Sequence, residues 1–176
     1  MPVTDAETDP RAWHLDPEAT RAASRLADRL EVVQRIGALV SSTEPKALET
    51  AASVGARWDV EVRGDDRLRE VERPWVGAGY RSVAHRYLRG QAPEGWEPHE
   101  VVAARAQSAI DDAVEAAAGN VVVVVSHGLL LAVHLGALLG DDFDRESFWS
   151  GLAFPDAWCL DDAGTLHRPQ PRVPSP

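Results

Sequence analysis

The stretch VVVVVSHGLLLAVHLGALLG, residues 121–140, decides the fold. Five consecutive valines, which favour a strand, are followed by Ser126-His127-Gly128 and then by a run rich in Leu and Ala. The stretch contains no Asp, Glu, Lys or Arg, so hydropathy alone could suggest a membrane span. The Ser-His-Gly interruption and the acidic flank at Asp141 and Asp142, with no basic anchor nearby, argue against it. We therefore predict a buried strand, a tight turn and a buried helix.

Strands and helices alternate along most of the remaining chain. The apolar spacing predicts helices at 17–33, 44–54, 80–88, 97–118 and 144–151, strands at 36–42, 58–62 and 121–125, and a closing hairpin of 157–160 with 165–167. Gly55 is expected to end the second helix. Such alternation favours a mostly parallel sheet covered by helices on both faces. The predicted fold is a three-layer α/β/α sandwich.

Length and charge limit the possible functions. A chain of 176 residues fits one domain, predicted over 1–168, followed by a disordered tail over 169–176 that is rich in proline. The net charge of −10 argues against a nucleic-acid surface, so any anionic ligand must be small and held by a few local cations.

One cysteine, Cys159, allows no internal disulfide, and the acidic N-terminus does not resemble a signal peptide. We therefore expect a cytoplasmic protein.

Two predicted strand ends carry candidate functional residues, because ligands of open α/β sheets bind beyond the carboxyl ends of the strands. The first end is Ser41-Ser42, and the second is Ser126-His127-Gly128. Gly128 would begin a helix whose free N–H groups favour an anion. His127 could equally be a polar turn residue that neighbouring backbone groups satisfy.

Three segments carry a resemblance to a known family. The stretch at 121–140 resembles the C-terminal motif of the histidine phosphatase superfamily, which has the phosphoglycerate-mutase-like fold. SSTEPKALETAA, residues 41–52, resembles the family segment Ser-Ser-x-x-x-Arg-Ala-x-x-Thr-Ala, and Leu68-Arg69-Glu70 lies where the family has Leu-x-Glu. Order and spacing agree from residue 15 to residue 160.

The resemblance implies a chemistry and a set of site residues. The family transfers a phosphoryl group to a histidine and then to water, so the implied partner is a small phosphorylated substrate or phosphate. No two of the remaining histidines have the spacing of metal ligands, so we expect no metal or other cofactor. His127 would be the second histidine, and Glu70 would be the acid for the leaving oxygen and later the base for water. Ser42, Lys46, His127 and Gly128 would bind phosphate, with Lys46 where the family has Arg. Lys46 could instead be a surface residue, and Glu70 could belong to a solvated ion-pair strip.

The N-terminus departs from the family pattern, in which a central strand ends in Arg-His and the His is the nucleophile. No Arg-His pair occurs near the N-terminus of this chain. In one alignment VTDAET, residues 3–8, replaces the dyad segment and places Asp5 at the nucleophile. In the preferred alignment the chain from Met1 agrees at six positions with the segment after the dyad in a subgroup of the family.

The preferred alignment predicts that the chain begins at an internal Met and that its first central strand is missing or truncated. An apolar strand ending in Arg-His should then be encoded upstream in frame. Without that strand, the chain is expected to have little or no phosphatase activity.

Two other interpretations remain open from the sequence alone. A non-catalytic pseudophosphatase could bind a phosphate ligand or a protein, with an anion pocket formed by His127, Lys46 and Arg69. A serine hydrolase is a weaker alternative, because residues 124–128 approach Gly-x-Ser-x-Gly but place Val124 where the strained turn needs glycine.

Overall fold

A computed structural model describes residues 9–30 and 35–169 of the chain. The alternative alignments of residues 1–8 lie outside the described residues, as do positions 170–176 of the predicted tail.

Six helices and five strands make up the described part of the chain. The helices are α1 (Pro17–Arg29), α2 (Pro45–Trp58), α3 (Tyr80–Leu88), α4 (His99–Ala117), α5 (Gly128–Leu139) and α6 (Arg145–Ser150). The strands are β1 (Ile36–Ser41), β2 (Val62–Gly64), β3 (Val121–Val125), β4 (Cys159–Leu160) and β5 (Leu166–His167). Short 3-10 turns occur at Pro10–Ala12, Asp66–Leu68 and Gly77–Gly79.

The predicted β3, α3 and closing hairpin are confirmed, and the helix predicted at 17–33 is present as α1. Asp16 caps α1 by accepting the Ala19 N–H at 2.6 Å, and Pro17 occupies its first turn. A stripe of small apolar residues on α1 is buried, consisting of Ala19, Ala23 and Ala27. This stripe lets α1 pack closely on α2.

The predicted end of the second helix and the strand predicted at 58–62 are both wrong. Helix α2 continues through Gly55 to Trp58, and Asp59 ends it in the left-handed conformation with φ of 52°. Strand β2 begins only at Val62. Glycine is required at position 55 for a steric reason, because a Cβ there would lie 2.7 Å from the Val60 carbonyl oxygen. Gly55 therefore allows the chain leaving α2 to fold back against the helix.

The main sheet is parallel, with strand order β2-β1-β3. β3 pairs with β1 from Ile36 opposite Val121 to Ser41 opposite Val125, with one irregularity near Gly37. Among the described residues, no strand pairs with the second edge of β3. The two main strands therefore end side by side, at Ser41 and Val125.

Helices cover both faces of this sheet, which confirms the predicted α/β sandwich with a parallel sheet. On one face, Val123 and Val125 pack with Leu39, Val54 and Ala27, which belong to β1, α2 and α1. On the other face Val122 and Val124 pack with residues of α4, among them Ala109 and Ala113. Because valines point to both faces, β3 needs an unbroken apolar run. No helix in the described ranges is long and apolar enough to cross a membrane.

Replacing Gly55 with Ala tests whether this glycine merely interrupts a helix or is needed for the close approach of the Val60 backbone. If it only interrupted a helix, alanine would stabilise the protein by about 1 kcal/mol. Because a Cβ would meet the Val60 carbonyl, we expect Gly55→Ala to lower the free energy of unfolding by about 2 kcal/mol in urea denaturation. Gly79→Ala is the matched control, since a Cβ at Gly79 would meet no atom within 4 Å and the residue has a negative φ. A stabilising Gly55→Ala would contradict this assignment.

Candidate functional site

His127 and Ser42 meet at the carboxyl ends of the two paired strands. His127 follows β3 and is the N-cap residue of α5, whereas Ser42 follows β1. Both side chains are buried, and His127 Nε2 lies 2.8 Å from Ser42 Oγ. The Ser42 N–H donates to the Val125 carbonyl at 2.9 Å, so the strand pairing itself sets this contact. The structure thus brings together two of the residues predicted to bind phosphate.

Glu44 is a site residue that the sequence analysis missed. Its carboxylate is 5% exposed, and Oε1 lies 3.6 Å from His127 Nε2. The same oxygen accepts the Glu70 N–H at 2.8 Å, while Oε2 pairs with Lys46 Nζ at 2.5 Å. Glu44 falls at an x position of the family segment Ser-Ser-x-x-x-Arg, where any residue is allowed. The motif therefore gives no reason to expect a buried carboxylate there.

Lys46, predicted to bind phosphate, has its ammonium engaged elsewhere. Besides the pair with Glu44, Nζ donates to the Pro10 carbonyl at 2.7 Å. Lys46 therefore neutralises a buried carboxylate and holds the segment that precedes α1. The alternative prediction, that Lys46 is a surface residue without a role, does not agree with these contacts.

Glu70 lies at the N-terminus of α5, close to where the sequence predicted an anion. Its Oε1 accepts the N–H groups of Leu130 at 3.1 Å and Val71 at 2.9 Å. The anion found at this helix end is thus a side chain of the protein. Gly128, the first residue of α5, lies against Trp149, because a Cβ there would be 3.1 Å from the indole ring.

Arg73 is the second site residue that the sequence analysis missed. Its guanidinium lies over the rings of Tyr80 and Trp96, at 4.8 and 5.7 Å from their centroids. One of its nitrogens donates to the carbonyl of Val71 at 2.8 Å, and the N–H of the same Val71 donates to the Glu70 carboxylate. Arg69, in contrast, has Asp66 and Glu72 as its charged partners, so the contacts do not place it in the anion pocket predicted with His127.

A buried ion pair holds the loop that carries Glu70. Arg105 on α4 pairs with Glu97, with both side chains about one-tenth exposed or less. The guanidinium also donates to the carbonyl oxygens of Arg67 at 2.6 Å and Arg69 at 2.8 Å. Ser126 Oγ donates to the Leu68 carbonyl at 2.8 Å. These bonds fix the loop against both α4 and the end of β3.

The surroundings set opposite charge preferences on the two predicted catalytic residues. Burial is the largest influence on His127 and lowers the pKa of its ring below 6.5, against the effect of Glu70 and Glu44. Burial alone would raise the pKa of Glu70, but Arg73, His127 and the two backbone N–H groups outweigh it and hold that pKa below 4.5. At neutral pH the site therefore contains a neutral imidazole beside an ionised carboxylate.

Ser42 can complete this arrangement with its hydroxyl proton. Its oxygen accepts the Glu44 N–H at 3.2 Å, which leaves the proton available to the neutral His127 ring. In the ranges 9–30 and 35–169, no group of three or more His, Cys, Asp or Glu residues could hold a metal ion.

Comparison with solved structures gives several similar folds. Bacillus stearothermophilus YhfR is 27% identical, with a TM-score of 0.65 over 88% of this chain and 82% of that chain. The mycobacterial glucosyl-3-phosphoglycerate phosphatase Rv2419c, in its complex with inorganic phosphate, is 27% identical, with a TM-score of 0.60 over 84% of this chain and 78% of that chain.

A similar sequence is the uncharacterized protein Rv0525 of Mycobacterium tuberculosis, which is 34% identical over 126 residues. The match covers 66% of this chain and 62% of that relative, so the chain spans less than two thirds of the relative's length.

The family model of the histidine phosphatase superfamily (branch 1) matches residues 6–152. This range includes the two adjoining strand ends, the Glu70 loop and the whole of α5. On that match, the chain belongs to the histidine phosphatase superfamily.

Proposed function

We propose that the site around His127 binds the phosphoryl group of a small phosphate monoester, or inorganic phosphate. The observation that carries the proposal is the buried contact of 2.8 Å between His127 Nε2 and Ser42 Oγ at the ends of two paired strands. Two polar side chains fixed in this way can turn to phosphoryl oxygens with little loss of side-chain freedom on binding. The phosphate-bound Rv2419c phosphatase among the similar structures supports this ligand class.

Each residue has a role in this proposal. When phosphate binds, Ser42 turns its hydroxyl proton from His127 to a phosphoryl oxygen, and His127 donates from Nε2 once the ring has gained a proton. Arg73, which lies over the rings of Tyr80 and Trp96, supplies positive charge. Glu70, once it has taken up a proton, is the acid for the leaving oxygen, and its carboxylate is then the base for water in the family reaction. Gly128, at the start of α5, keeps a side chain out of the space beside Trp149.

The charged side chains of the site sum to about zero without ligand, so we expect phosphate binding to be coupled to proton uptake. The two cations Lys46 and Arg73 are matched by the two carboxylates Glu44 and Glu70, and burial keeps His127 neutral. A phosphate monoester brings between about 1.5 and 2 negative charges at neutral pH. Binding should therefore be accompanied by proton uptake at His127 or Glu70.

We further propose that these 176 residues bind the ligand with little or no turnover. The family reaction, as the resemblance gives it, passes through a phosphohistidine formed on an Arg-His pair that ends the first strand, and no such pair occurs near this N-terminus. Hydrolysis through a phosphohistidine is the function of the family form, while phosphate-ligand binding without turnover is the pseudophosphatase alternative for this chain.

Phosphate binding and turnover can be measured on the same protein. At tenfold excess over its Kd, phosphate should stabilise the chain by about 1.4 kcal/mol, which raises Tm by about 4 °C. His127→Ala and Ser42→Ala should lose most of this shift, whereas His167→Ala, at an exposed position on β5, should keep it. Hydrolysis of p-nitrophenyl phosphate should not exceed that of His127→Ala.

Two outcomes would count against the proposal. Absence of a phosphate-dependent shift in the unmutated chain would exclude the binding site. Turnover well above the His127→Ala control would refute the predicted inactivity while leaving the binding proposal intact.

The proton requirement predicts a pH dependence with a definite sign. Because the pKa of the His127 ring lies below its ordinary value, the ring is neutral at pH 8 and gains a proton only as the pH falls. Because binding takes up a proton, phosphate affinity should rise as the pH falls from about 8 towards about 6, close to the ordinary pKa of an imidazole. Calorimetry in buffers of different ionisation enthalpy should show net proton uptake. Affinity that falls over this range, with proton release, would contradict the charge balance.

The Arg105 contacts predict a large effect on stability. Arg105→Lys keeps a positive charge but loses the planar group that reaches Glu97 and the loop carbonyls together. We expect the free energy of unfolding to fall by about 3 kcal/mol, because the Glu97 charge and the carbonyl oxygens stay buried with fewer partners. Arg86→Lys, at an exposed position on α3, should change it by less than about 0.5 kcal/mol.

A further inference from the structure

The carboxylate of Glu44 lies within reach of a ligand in the proposed phosphate site. Its Oε1 is 3.6 Å from His127 Nε2. A ligand oxygen at a hydrogen-bond distance of about 3 Å from Nε2 can therefore also lie about 3 Å from Oε1. Ser42 adjoins both residues, because its Oγ lies 2.8 Å from His127 Nε2 and accepts the Glu44 N–H. A phosphoryl group bound by His127 and Ser42 thus has the Glu44 carboxylate as a neighbour.

Glu44 has room for a further hydrogen-bond donor at Oε1. A carboxylate oxygen carries two lone pairs and can accept two hydrogen bonds. Among the residues that the structure describes, one N–H donates to Oε1, that of Glu70 at 2.8 Å, and Oε2 is paired with Lys46. The second lone pair of Oε1 is therefore available to a ligand bound beside His127.

A phosphoryl oxygen can bond to this carboxylate through a proton. An ionised carboxylate accepts hydrogen bonds and donates none, so a bare ligand oxygen is repelled. Because Glu44 is 5% exposed, little water screens that repulsion. A phosphate monoester loses its second proton with a pKa of about 6, so part of it carries a P–OH group near neutral pH. A sulfate ester of the same shape has no such proton and cannot donate to Glu44.

The charges around Glu44 and His127 do not replace that proton. Three segments supply them, and the residues are Arg11, Lys46, Glu70 and Arg73. The Lys46 ammonium is already bonded to Glu44 and to the Pro10 carbonyl. The His127 ring is neutral without ligand, because burial lowers its pKa, so it does not offset the Glu44 charge. An anion that brings its own proton is therefore favoured.

We propose that Glu44 makes the site selective for phosphoryl groups that carry a proton, by accepting a hydrogen bond from the P–OH group. The inference rests on the proposed function, because it concerns which anions the same site accepts. The proton that His127 gains on binding then balances the single charge left on the protonated phosphoryl group. Glu44 is a specificity-determining residue in this arrangement, and sulfate esters bind weakly.

Methyl phosphate and methyl sulfate are matched probes for this role. At about pH 5.5 most of the methyl phosphate is a single anion like methyl sulfate, and it differs by its P–OH proton. We expect the unmutated chain to bind methyl phosphate at least about tenfold more tightly in calorimetry. The preference should shrink towards about pH 8, because methyl phosphate loses its proton while methyl sulfate does not change. These measurements do not depend on the folding of a variant.

Glu44→Gln removes the charge at nearly the same size. We expect methyl sulfate to bind this variant at least about tenfold more tightly than the unmutated chain, and the preference for methyl phosphate to fall to about threefold or less. Glu49→Gln is the matched control, because Glu49 lies on the same helix and contacts His14 and the Leu15 N–H instead. This variant should keep the preference. Circular dichroism shows whether both variants are folded.

The possible failures are distinguishable. Equal binding of the two ligands by the unmutated chain would overturn the role of Glu44 and leave the phosphate site in place. An unchanged preference in a folded Glu44→Gln variant would have the same meaning, as would an equal loss of preference in Glu49→Gln. Binding of neither ligand, by the unmutated chain or by Glu44→Gln, would overturn the proposed function and this role with it.

Discussion

The parallel pairing of β1 with β3 is the constraint on which the site depends. It places Ser42 beside Val125, the last residue of β3. The bond from the Ser42 N–H to the Val125 carbonyl fixes how far the two strand ends extend relative to each other. The contact between Ser42 and His127 results from that register. A shift of one residue would turn the side chains of a strand to the opposite face and would separate the two donors. The same strand packs its partly buried valines against the helices on both faces, so stability and site geometry share one set of contacts.

The site carries its own charge compensation inside an acidic protein with net charge −10. Glu70 caps α5, Lys46 neutralises Glu44, and Arg73 lies beside the Glu70 segment. Buried charges are tolerated only when they are paired or hydrogen-bonded, and each of these groups meets that condition. The consequence is a site that is close to neutral without ligand. A phosphate must then bring protons with it or draw on the positive charge of Arg73.

Much of this arrangement is predictable from local sequence, and the rest depends on contacts between distant segments. Five valines predict β3, the Leu/Ala run predicts α5, and the strand ends predict the positions of Ser42 and His127. Glu44, Arg73 and Arg105 were missed, because charged residues are expected at the surface and only tertiary contacts show that these are held inside. Gly55 was misread because a glycine near the end of a helix usually marks its stop, whereas here it permits a close backbone approach.

β3 connects the centre of the sheet to the proposed phosphate site. Its pairing with β1 positions Ser42, and its carboxyl end leads directly to Ser126 and His127. Ser126 also bonds the Leu68 carbonyl in the loop before Glu70. A substitution that loosens the pairing of β3 should therefore also disturb its carboxyl end, where the residues proposed to bind phosphate lie. By thermodynamic linkage, phosphate bound at that end should in turn stabilise the folded pairing of β1 with β3.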